Sequence, residues 1–238
     1  MRASLPLAGL AVLLLGSSCG VQQKAASQGS ATRTDATVTT AFSSPWGVDI
    51  AQPEPEPGAA PLAEQLAVFA GARDASDKLG FSEETPPDMA SGKELFSQSR
   101  LLLPQGPIYG EQLFGVPTAK GWVCPYLLPP DGGEWDAGGG SCWYALRDGI
   151  SFDMEGEGSV YRLYGVVAND VKSVSIVAGD RSYSAQMGRN AFAFEMKSNA
   201  VCPADIDRLL IQRSNGSTNK LELSTVAPHL RREEFGCG

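Results

Sequence analysis

The stretch Tyr161-Arg-Leu-Tyr-Gly-Val-Val-Ala-Asn-Asp-Val-Lys-Ser-Val-Ser-Ile-Val177 contains the clearest fold signal in the chain. It holds two runs rich in β-branched and aromatic residues, Tyr161–Val167 and Val171–Val177, separated by the turn residues Ala168-Asn-Asp170. The apolar positions of the second run suit a strand that places one face on a core. The stretch therefore predicts two strands joined by a short turn.

Similar short segments follow one another through the second half of the chain. Turn signals such as Gly179-Asp180, Gly188-Arg-Asn190 and Asn215-Gly216 stand between several of them. Short strands at regular spacing with such turns predict a mainly β fold, with a β-sandwich domain at residues 121–238. The candidate strands are Trp122–Leu128, Cys142–Arg147, Tyr161–Val167, Val171–Val177, Ser182–Gln186, Ala191–Met196, Ile206–Gln212 and Lys220–Ser224.

Residues 61–120 are expected to form a short helix and an irregular lead-in packed on the sandwich. Pro61 suits the first turn of a helix, and apolar residues recur after it at helical spacing. Leu101–Leu103 and residues 108–116 are each candidates for a strand. The apolar positions of the expected helix are Leu62, Leu66, Phe69 and Ala70.

Residues 19–60 are interpreted as a disordered tether. Residues 22–40 are almost all small or polar and show no apolar period, so they cannot bury enough surface to fold. Residues 52–58 follow with alternating Pro and Glu, which favours a stiff, extended conformation.

The amino terminus has the features of an export signal. Arg2 precedes the apolar run Leu5–Leu15, which is too short to span a bilayer core of about 30 Å but suits a signal peptide. The small residues Gly16-Ser-Ser18 then lead to Cys19, a pattern that resembles the lipobox of bacterial lipoproteins. We therefore expect a signal peptide at residues 1–18, acylation of Cys19 and anchoring on the extracytoplasmic face of the cell membrane. Secretion through an ordinary signal peptide is the alternative.

Four cysteines besides Cys19 are expected to form two disulfides, as an even number in an exported chain indicates. Three pairings are open, and sequence proximity favours Cys124–Cys142 together with Cys202–Cys237. Metal ligation is the alternative, but the cysteines have neither C-x-x-C spacing nor accompanying histidines. The sequence therefore predicts disulfides and no metal site.

A set of short motifs covers about half of the chain. They are Leu66-Ala-Val-Phe69, Ala75-Ser-Asp77, Ser99-Arg-Leu-Leu-Leu103, Gly121-Trp-Val-Cys124, Gly138-Gly-Gly-Ser-Cys142, Val160-Tyr-Arg-Leu-Tyr-Gly-Val-Val167 and Val171-Lys-Ser-Val174. In these motifs the chain resembles uncharacterised exported proteins of actinobacteria. The resemblance implies a disulfide between the two middle cysteines and an immunoglobulin-like sandwich in the C-terminal part. It implies no established activity.

The charge balance excludes one class of partner. The chain has 238 residues, Lys+Arg 19 against Asp+Glu 27 and a net charge of −8. A protein that binds the phosphate backbone needs a basic excess, so we expect no nucleic-acid partner. The single histidine, His229, removes most catalytic dyads and triads. We therefore expect no catalytic residues, no cofactor and a protein that is not an enzyme.

Two local motifs resemble chemical sites and are better explained otherwise. Gly140-Ser-Cys-Trp-Tyr-Ala145 is similar to the surroundings of a papain-type nucleophile, but no asparagine follows His229 to orient it as a base. Asp153-Met-Glu-Gly-Glu-Gly158 has the acidic spacing of a calcium loop, but its twelfth position is Tyr164 instead of Glu. We interpret these acids as part of a solvated loop or strand.

Aromatic residues around the expected first disulfide are the best candidates for a binding site. Aromatic side chains on exposed loops favour contact with ligands or partners. The alternative is that they cover the disulfide and part of the core. The candidates are Trp122, Tyr126, Trp135, Trp143 and Tyr144.

These features together predict a non-catalytic binding or cell-envelope interaction module. The expected partners are the membrane, reached through the lipid anchor, and an unknown envelope protein or glycan. One alternative is an exported hydrolase, which needs two carboxylates about 5–9 Å apart. The other is a structural spacer without a ligand.

Overall fold

The computed structural model describes residues 47–48, 50–80, 93–106, 110–129, 141–157, 159–197, 199–228, 232–235 and 237. The expected signal peptide, Cys19, Trp135 and His229 lie outside these residues, as does the expected tether up to residue 46. The end of that tether is ordered, which corrects its boundary at residue 60: Gly47 and Val48 pair with Glu155 and Met154, and Ile50 is buried. The strands are β1 Gly47–Val48, β2 Arg100–Leu103, β3 Gln112–Pro117, β4 Val123–Leu128, β5 Ile150–Glu157, β6 Val160–Val167, β7 Val171–Ala178, β8 Arg181–Ser184, β9 Gln186–Met187, β10 Ala191–Lys197, β11 Ile206–Arg213 and β12 Thr218–Glu222. The α-helices are α1 Leu62–Gln65, α2 Ala67–Ala70 and α3 Leu223–Val226, and short 3-10 turns lie at Ala75–Asp77, Phe96–Gln98, Pro203–Asp205 and Arg232–Phe235.

The strands form three antiparallel sheets. A five-stranded sheet has the order β1-β5-β6-β10-β9, a four-stranded sheet has the order β12-β11-β7-β8, and a three-stranded sheet has the order β2-β3-β4. The prediction of a mainly β fold is therefore confirmed. The two strands of the opening sequence stretch, β6 and β7, follow each other closely in the chain but belong to different sheets.

The first core lies between the five-stranded and the four-stranded sheets. Phe152 and Phe192 contribute to it from the five-stranded sheet, and Ile176 and Leu209 from the four-stranded sheet. Along β7 the side chains alternate between partly exposed and buried positions before the strand end, as expected for a strand with one covered face. This pair of sheets corresponds to the predicted sandwich, and its immunoglobulin-like character stays a prediction.

The second core lies on the opposite face of the five-stranded sheet. Tyr164 and Val166 of β6 pack there with Leu113 and Val123 of the three-stranded sheet. The five-stranded sheet is therefore the central layer, and it is covered on both faces. This explains why β6 is buried at every position except Arg162, which is partly buried.

The three-stranded sheet corrects the interpretation of residues 61–120 as helix and irregular lead-in. Strand β3 pairs with β4 from Gln112 opposite Leu128 to Pro117 opposite Val123, so the expected boundary at residue 120 falls inside one sheet. Both candidate strands of this segment contribute, as β2 and β3. The expected strand Cys142–Arg147 is wrong, because this segment forms only the isolated bridges Val123–Trp143 and Arg147–Ile150.

The expected helix is present as two single turns, α1 and α2, which are separated at Leu66. The backbone of Leu66 is extended, with φ −98 and ψ 118, and its side chain is buried in the second core. Two asparagines of the central body hold the second turn: Asn169 Oδ1 accepts from Ala67 N at 2.8 Å and Asn190 Oδ1 accepts from Val68 N at 3.0 Å. The asparagines thus accept hydrogen bonds from the first backbone N–H groups of α2, which have no partner within the helix.

Candidate functional site

Two disulfides join the expected cysteines. Cys124 is bonded to Cys142 and Cys202 to Cys237, as sequence proximity favoured. The first bond connects β4 to the segment that carries Trp143. Backbone hydrogen bonds of 3.0 and 2.8 Å between Val123 and Trp143 reinforce this connection. The disulfide therefore holds two aromatic-rich segments side by side.

Two of the five candidate aromatic residues form a surface pair. The Trp122 and Tyr144 rings are both partly exposed, and their centroids are 4.6 Å apart with an interplanar angle of 58°. The Lys120 ammonium lies 4.6 Å from the centroid of the Trp122 ring, at the distance of a cation–π contact. This pair, with Lys120, is called the aromatic surface below. It combines an apolar contact area with a positive charge.

Two other candidates are core residues, which corrects their assignment as binding residues. Trp143 has no exposed surface, and Tyr126 exposes 4 %. Tyr126 packs edge-on against Phe96 with centroids 5.6 Å apart, and burial is the main cause that raises its pKa. Alternation explains why Tyr144 lies outside the second core, because it follows the buried Trp143. Tyr126 shares a face with Trp122 but is covered by a third cluster, which includes Phe96 and Phe114.

The region interpreted as a solvated loop or strand is a buried strand. Asp153 and Glu155 lie within β5 and each expose 7 % of their surface. Being two residues apart in a strand, Asp153 and Glu155 lie on the same face, but an extended strand cannot wrap its oxygens around one ion as a calcium loop does. The register places Asp153 opposite Tyr164 and Glu155 opposite Arg162. The two carboxylates therefore face the second core.

Hydrogen bonds hold both carboxylates from several sides. The Tyr164 hydroxyl donates to Glu155 Oε1 at 2.5 Å, and the Gln52 amide donates to Asp153 Oδ1 at 3.1 Å. The indole N–H of Trp143 faces the Asp153 carboxylate and lowers the pKa of Asp153. The two groups do not meet the geometry of a hydrogen bond. Asp153 Oδ2 is buried and accepts no hydrogen bond from the described residues.

Burial dominates the protonation of this pair. It raises the pKa of Glu155 to about 7, against the opposing effects of the Tyr164 hydroxyl and the Arg162 charge. Burial, followed by repulsion from Glu155, raises the pKa of Asp153 well above its ordinary value. Asp153 and Glu155 are called the acid pair below. In this conformation a substrate could not reach between them.

A groove of about 540 Å³ lies beside the helical turns. Its lining includes Phe69, Pro117, Arg73 and Arg100. The Arg100 guanidinium donates to backbone carbonyls, among them Val68 O and Gly71 O, each at 3.0 Å. Its donors therefore stabilise the chain around the groove and are not directed at a ligand.

One group of potential metal ligands occurs among the described residues. Single ligand atoms of Glu94, Cys124 and Cys142 lie within 4.8 Å of one another. Both sulfurs are bonded to each other, and a metal requires thiolates, so this group cannot hold an ion in the disulfide form. In the part of the chain that the structure describes, no helix is long and apolar enough to cross a membrane.

The fold and site define a disulfide-bonded, three-layer β protein with an aromatic surface and an enclosed acid pair. A scan of protein-family models and searches of curated proteins and of solved structures each found no match.

The sequence singled out Trp122 and Tyr144 but missed how the acid pair is enclosed. The available signal was the acid spacing Asp153-Met-Glu155 next to apolar Phe152 and Met154. Alternation of acidic and apolar residues is also what a strand with one solvated face shows. The second covered face of the central sheet cannot be recognised from that pattern alone.

Proposed function

We propose that this protein is an extracytoplasmic, lipid-anchored binding module whose contact region is the aromatic surface. The observation that carries the proposal is the pair of partly exposed Trp122 and Tyr144 rings with the Lys120 ammonium above one of them. Aromatic residues are enriched where proteins contact partners, because they offer a large contact area and lose little entropy. The proposed partner is a protein or glycan of the cell envelope.

The attachment of the two rings supports this proposal. Trp122 immediately precedes β4, its backbone N–H donates to Thr118 Oγ1 at 3.2 Å, and Tyr144 immediately follows the Val123–Trp143 bridge. The disulfide between Cys124 and Cys142 joins the same two segments. A contact region that is ordered before binding loses less entropy when a partner arrives.

The two disulfides are consistent with an extracytoplasmic protein, since such bonds persist in oxidising compartments. Anchoring through acylated Cys19 is part of the proposal and follows from the lipobox-like pattern of the sequence. The binding module is preferred to the exported hydrolase because the acid pair is enclosed, whereas glycoside hydrolysis requires carboxylates that reach the scissile bond.

Capture from detergent-solubilised envelopes tests the proposal. Trp122→Ala should lower the recovery of a specific envelope protein or glycan by at least about tenfold, as expected when a central aromatic contact is truncated. Tyr183→Ala is the matched control, because Tyr183 is also partly exposed and pairs with Phe194 at 5.8 Å elsewhere in the fold. Equal recovery with wild-type, Trp122→Ala and Tyr183→Ala protein would contradict the proposal and favour a spacer without a ligand.

A further inference from the structure

The acid pair lies at the contact between two layers of the fold. Tyr164, which stands opposite Asp153, belongs to the second core, between the central sheet and the three-stranded sheet. The side chains next to the acid pair along β5, Phe152 and Met154, belong to the first core. The acid pair therefore faces the layer that carries the aromatic surface.

Several elements contribute charged or polar groups around the acid pair. The Arg162 guanidinium forms an ion pair with Glu111 at 2.7 Å. Arg162 also stands opposite Glu155 of β5 on one side and opposite Glu195 of β10 on the other. The Tyr144 hydroxyl is close enough to Asp153 for the carboxylate charge to raise its pKa, although burial is the larger cause. The full group is Asp153 and Glu155 of β5, Arg162 and Tyr164 of β6, Glu195 of β10, Glu111 before β3, Trp143 and Tyr144 of the disulfide segment, and Gln52.

This group contains four carboxylates and one guanidinium. An ionised carboxylate that is removed from water must be paired and hydrogen-bonded, or it is better neutralised by a proton. Arg162 is already within 2.7 Å of Glu111, which limits the compensation it offers to Glu155. Asp153 Oδ2 is buried without a donor among the described residues. The closed packing therefore favours the protonated form of the acid pair.

Trp143 is the part of the three-stranded layer that covers this pair. Its ring packs edge-on against Tyr164 with centroids 6.2 Å apart, and its indole N–H faces Asp153. Its backbone is bonded to Val123, and its neighbour Cys142 is bonded to Cys124 of β4. Movement of Trp143 is thereby coupled to β4 and to the aromatic surface.

We infer that Asp153, Glu155 and Trp143 form a proton-operated latch between the central and the three-stranded sheets. With the carboxylates protonated, Trp143 seals the second core and the layers stay closed. When the acid pair ionises, water must reach both carboxylates, and the Trp143 segment opens together with β3 and β4. The sandwich of the five-stranded and the four-stranded sheets stays closed, because its core lies on the opposite face of the central sheet.

Hydrogen exchange at pH 5 and pH 8, corrected for the intrinsic exchange rate, tests the latch. Protection of β3 and β4 in the full chain should fall at least about tenfold at the higher pH, because each pH unit above the pKa of a buried acid favours opening tenfold. Protection of β7 and β11 should change little. In Asp153→Asn/Glu155→Gln, protection of β3 and β4 should no longer depend on pH.

The single variant Glu155→Gln is measured in parallel, in case the double variant does not fold; it should retain a weaker pH dependence. Glu222→Gln, at an exposed position of β12, is the matched control and should behave as wild type. The latch is overturned if protection of β3 and β4 in the wild type is independent of pH. It is equally overturned if the variants of the acid pair keep the full dependence, or if β7 and β11 lose protection to the same extent.

Discussion

At the scale of single residues, the protonation of Glu155 makes the stability of the fold depend on pH. Burial raises its pKa from 4.5 to about 7, so folding makes this carboxyl harder to ionise. A group of this kind binds a proton more tightly in the folded state than in the unfolded state. Its contribution to stability is therefore complete below pH 4.5 and is lost as the pH rises through about 7.

We predict that the free energy of unfolding decreases between pH 4.5 and pH 8, and that Glu155→Gln removes about 3 kcal/mol of that decrease. The amide cannot ionise, and it still offers an oxygen to the Tyr164 hydroxyl. Urea unfolding at intervals of pH measures the difference, with Glu222→Gln as the exposed control. A pH dependence that Glu155→Gln leaves unchanged would show that Glu155 ionises as readily in the folded chain as in the unfolded chain.

At the scale of the elements, the central sheet depends on a close approach of β5 and β6. Gly165 of β6 stands between Phe152 of β5 and Phe192 of β10 in the register. A Cβ at Gly165 would lie 2.1 Å from Ser151 O and 2.7 Å from the Phe152 Cα. The absence of a side chain at this position leaves room for the two rings in the first core.

Gly165→Ala is expected to lower the free energy of unfolding by about 1–3 kcal/mol, the usual range for overpacking in a core. The backbone atoms of β5 are the obstacle, and they cannot move aside as a flexible side chain can. Thermal or urea unfolding gives the measurement. Gly71→Ala is the control, because a Cβ there has open space around it. Equal stability of the two variants would mean that β5 and β6 are farther apart than described.

At the scale of the whole molecule, the first disulfide joins β4 to the segment that carries Trp143, and both contribute to the outer layer of the fold. Cys124 and Cys142 are 18 residues apart, and the bond links β4 to the Trp143 segment. Trp143 in turn packs into the core shared with Tyr164 of the central sheet. The disulfide therefore supports the attachment of the outer layer.

We predict that Cys124→Ala/Cys142→Ala destabilises the protein by about 3 kcal/mol, as expected when a closed loop of this length is opened in the unfolded chain. The loss of protection from hydrogen exchange should be greatest in β3 and β4. Cys202→Ala/Cys237→Ala is the comparison, since that bond lies at the first core. A pattern of exchange that is the same for both double variants would contradict a specific role of the first disulfide in the outer layer.

The strand pattern, the turns and the disulfide pairing could be predicted from sequence because each depends on local order. β-branched residues between turn residues predict a strand wherever it pairs, and nearby cysteines meet readily when a turn lies between them. The three-stranded sheet could not be placed in the same way. Strand β3 pairs with β4 across the boundary expected at residue 120, and pairing partners are not encoded in the composition of one strand.

The same distinction between local sequence pattern and tertiary packing applies to the candidate site. Five aromatic residues could be selected around Cys124 and Cys142, but only the packing separates the partly exposed Trp122 and Tyr144 from the buried Trp143 and Tyr126.

The sequence by itself determined the mainly β class and most of the strands, because backbone propensities and short loops act over a few residues. It favoured the cysteine pairs that the structure contains, while leaving the other two pairings open. It also supplied the predictions of export and of an anchor at Cys19. Only the tertiary structure decided that the central sheet is covered on both faces and that Asp153 and Glu155 are enclosed. The desolvation of a side chain depends on which distant parts of the chain pack over it, and a local sequence pattern does not contain that information.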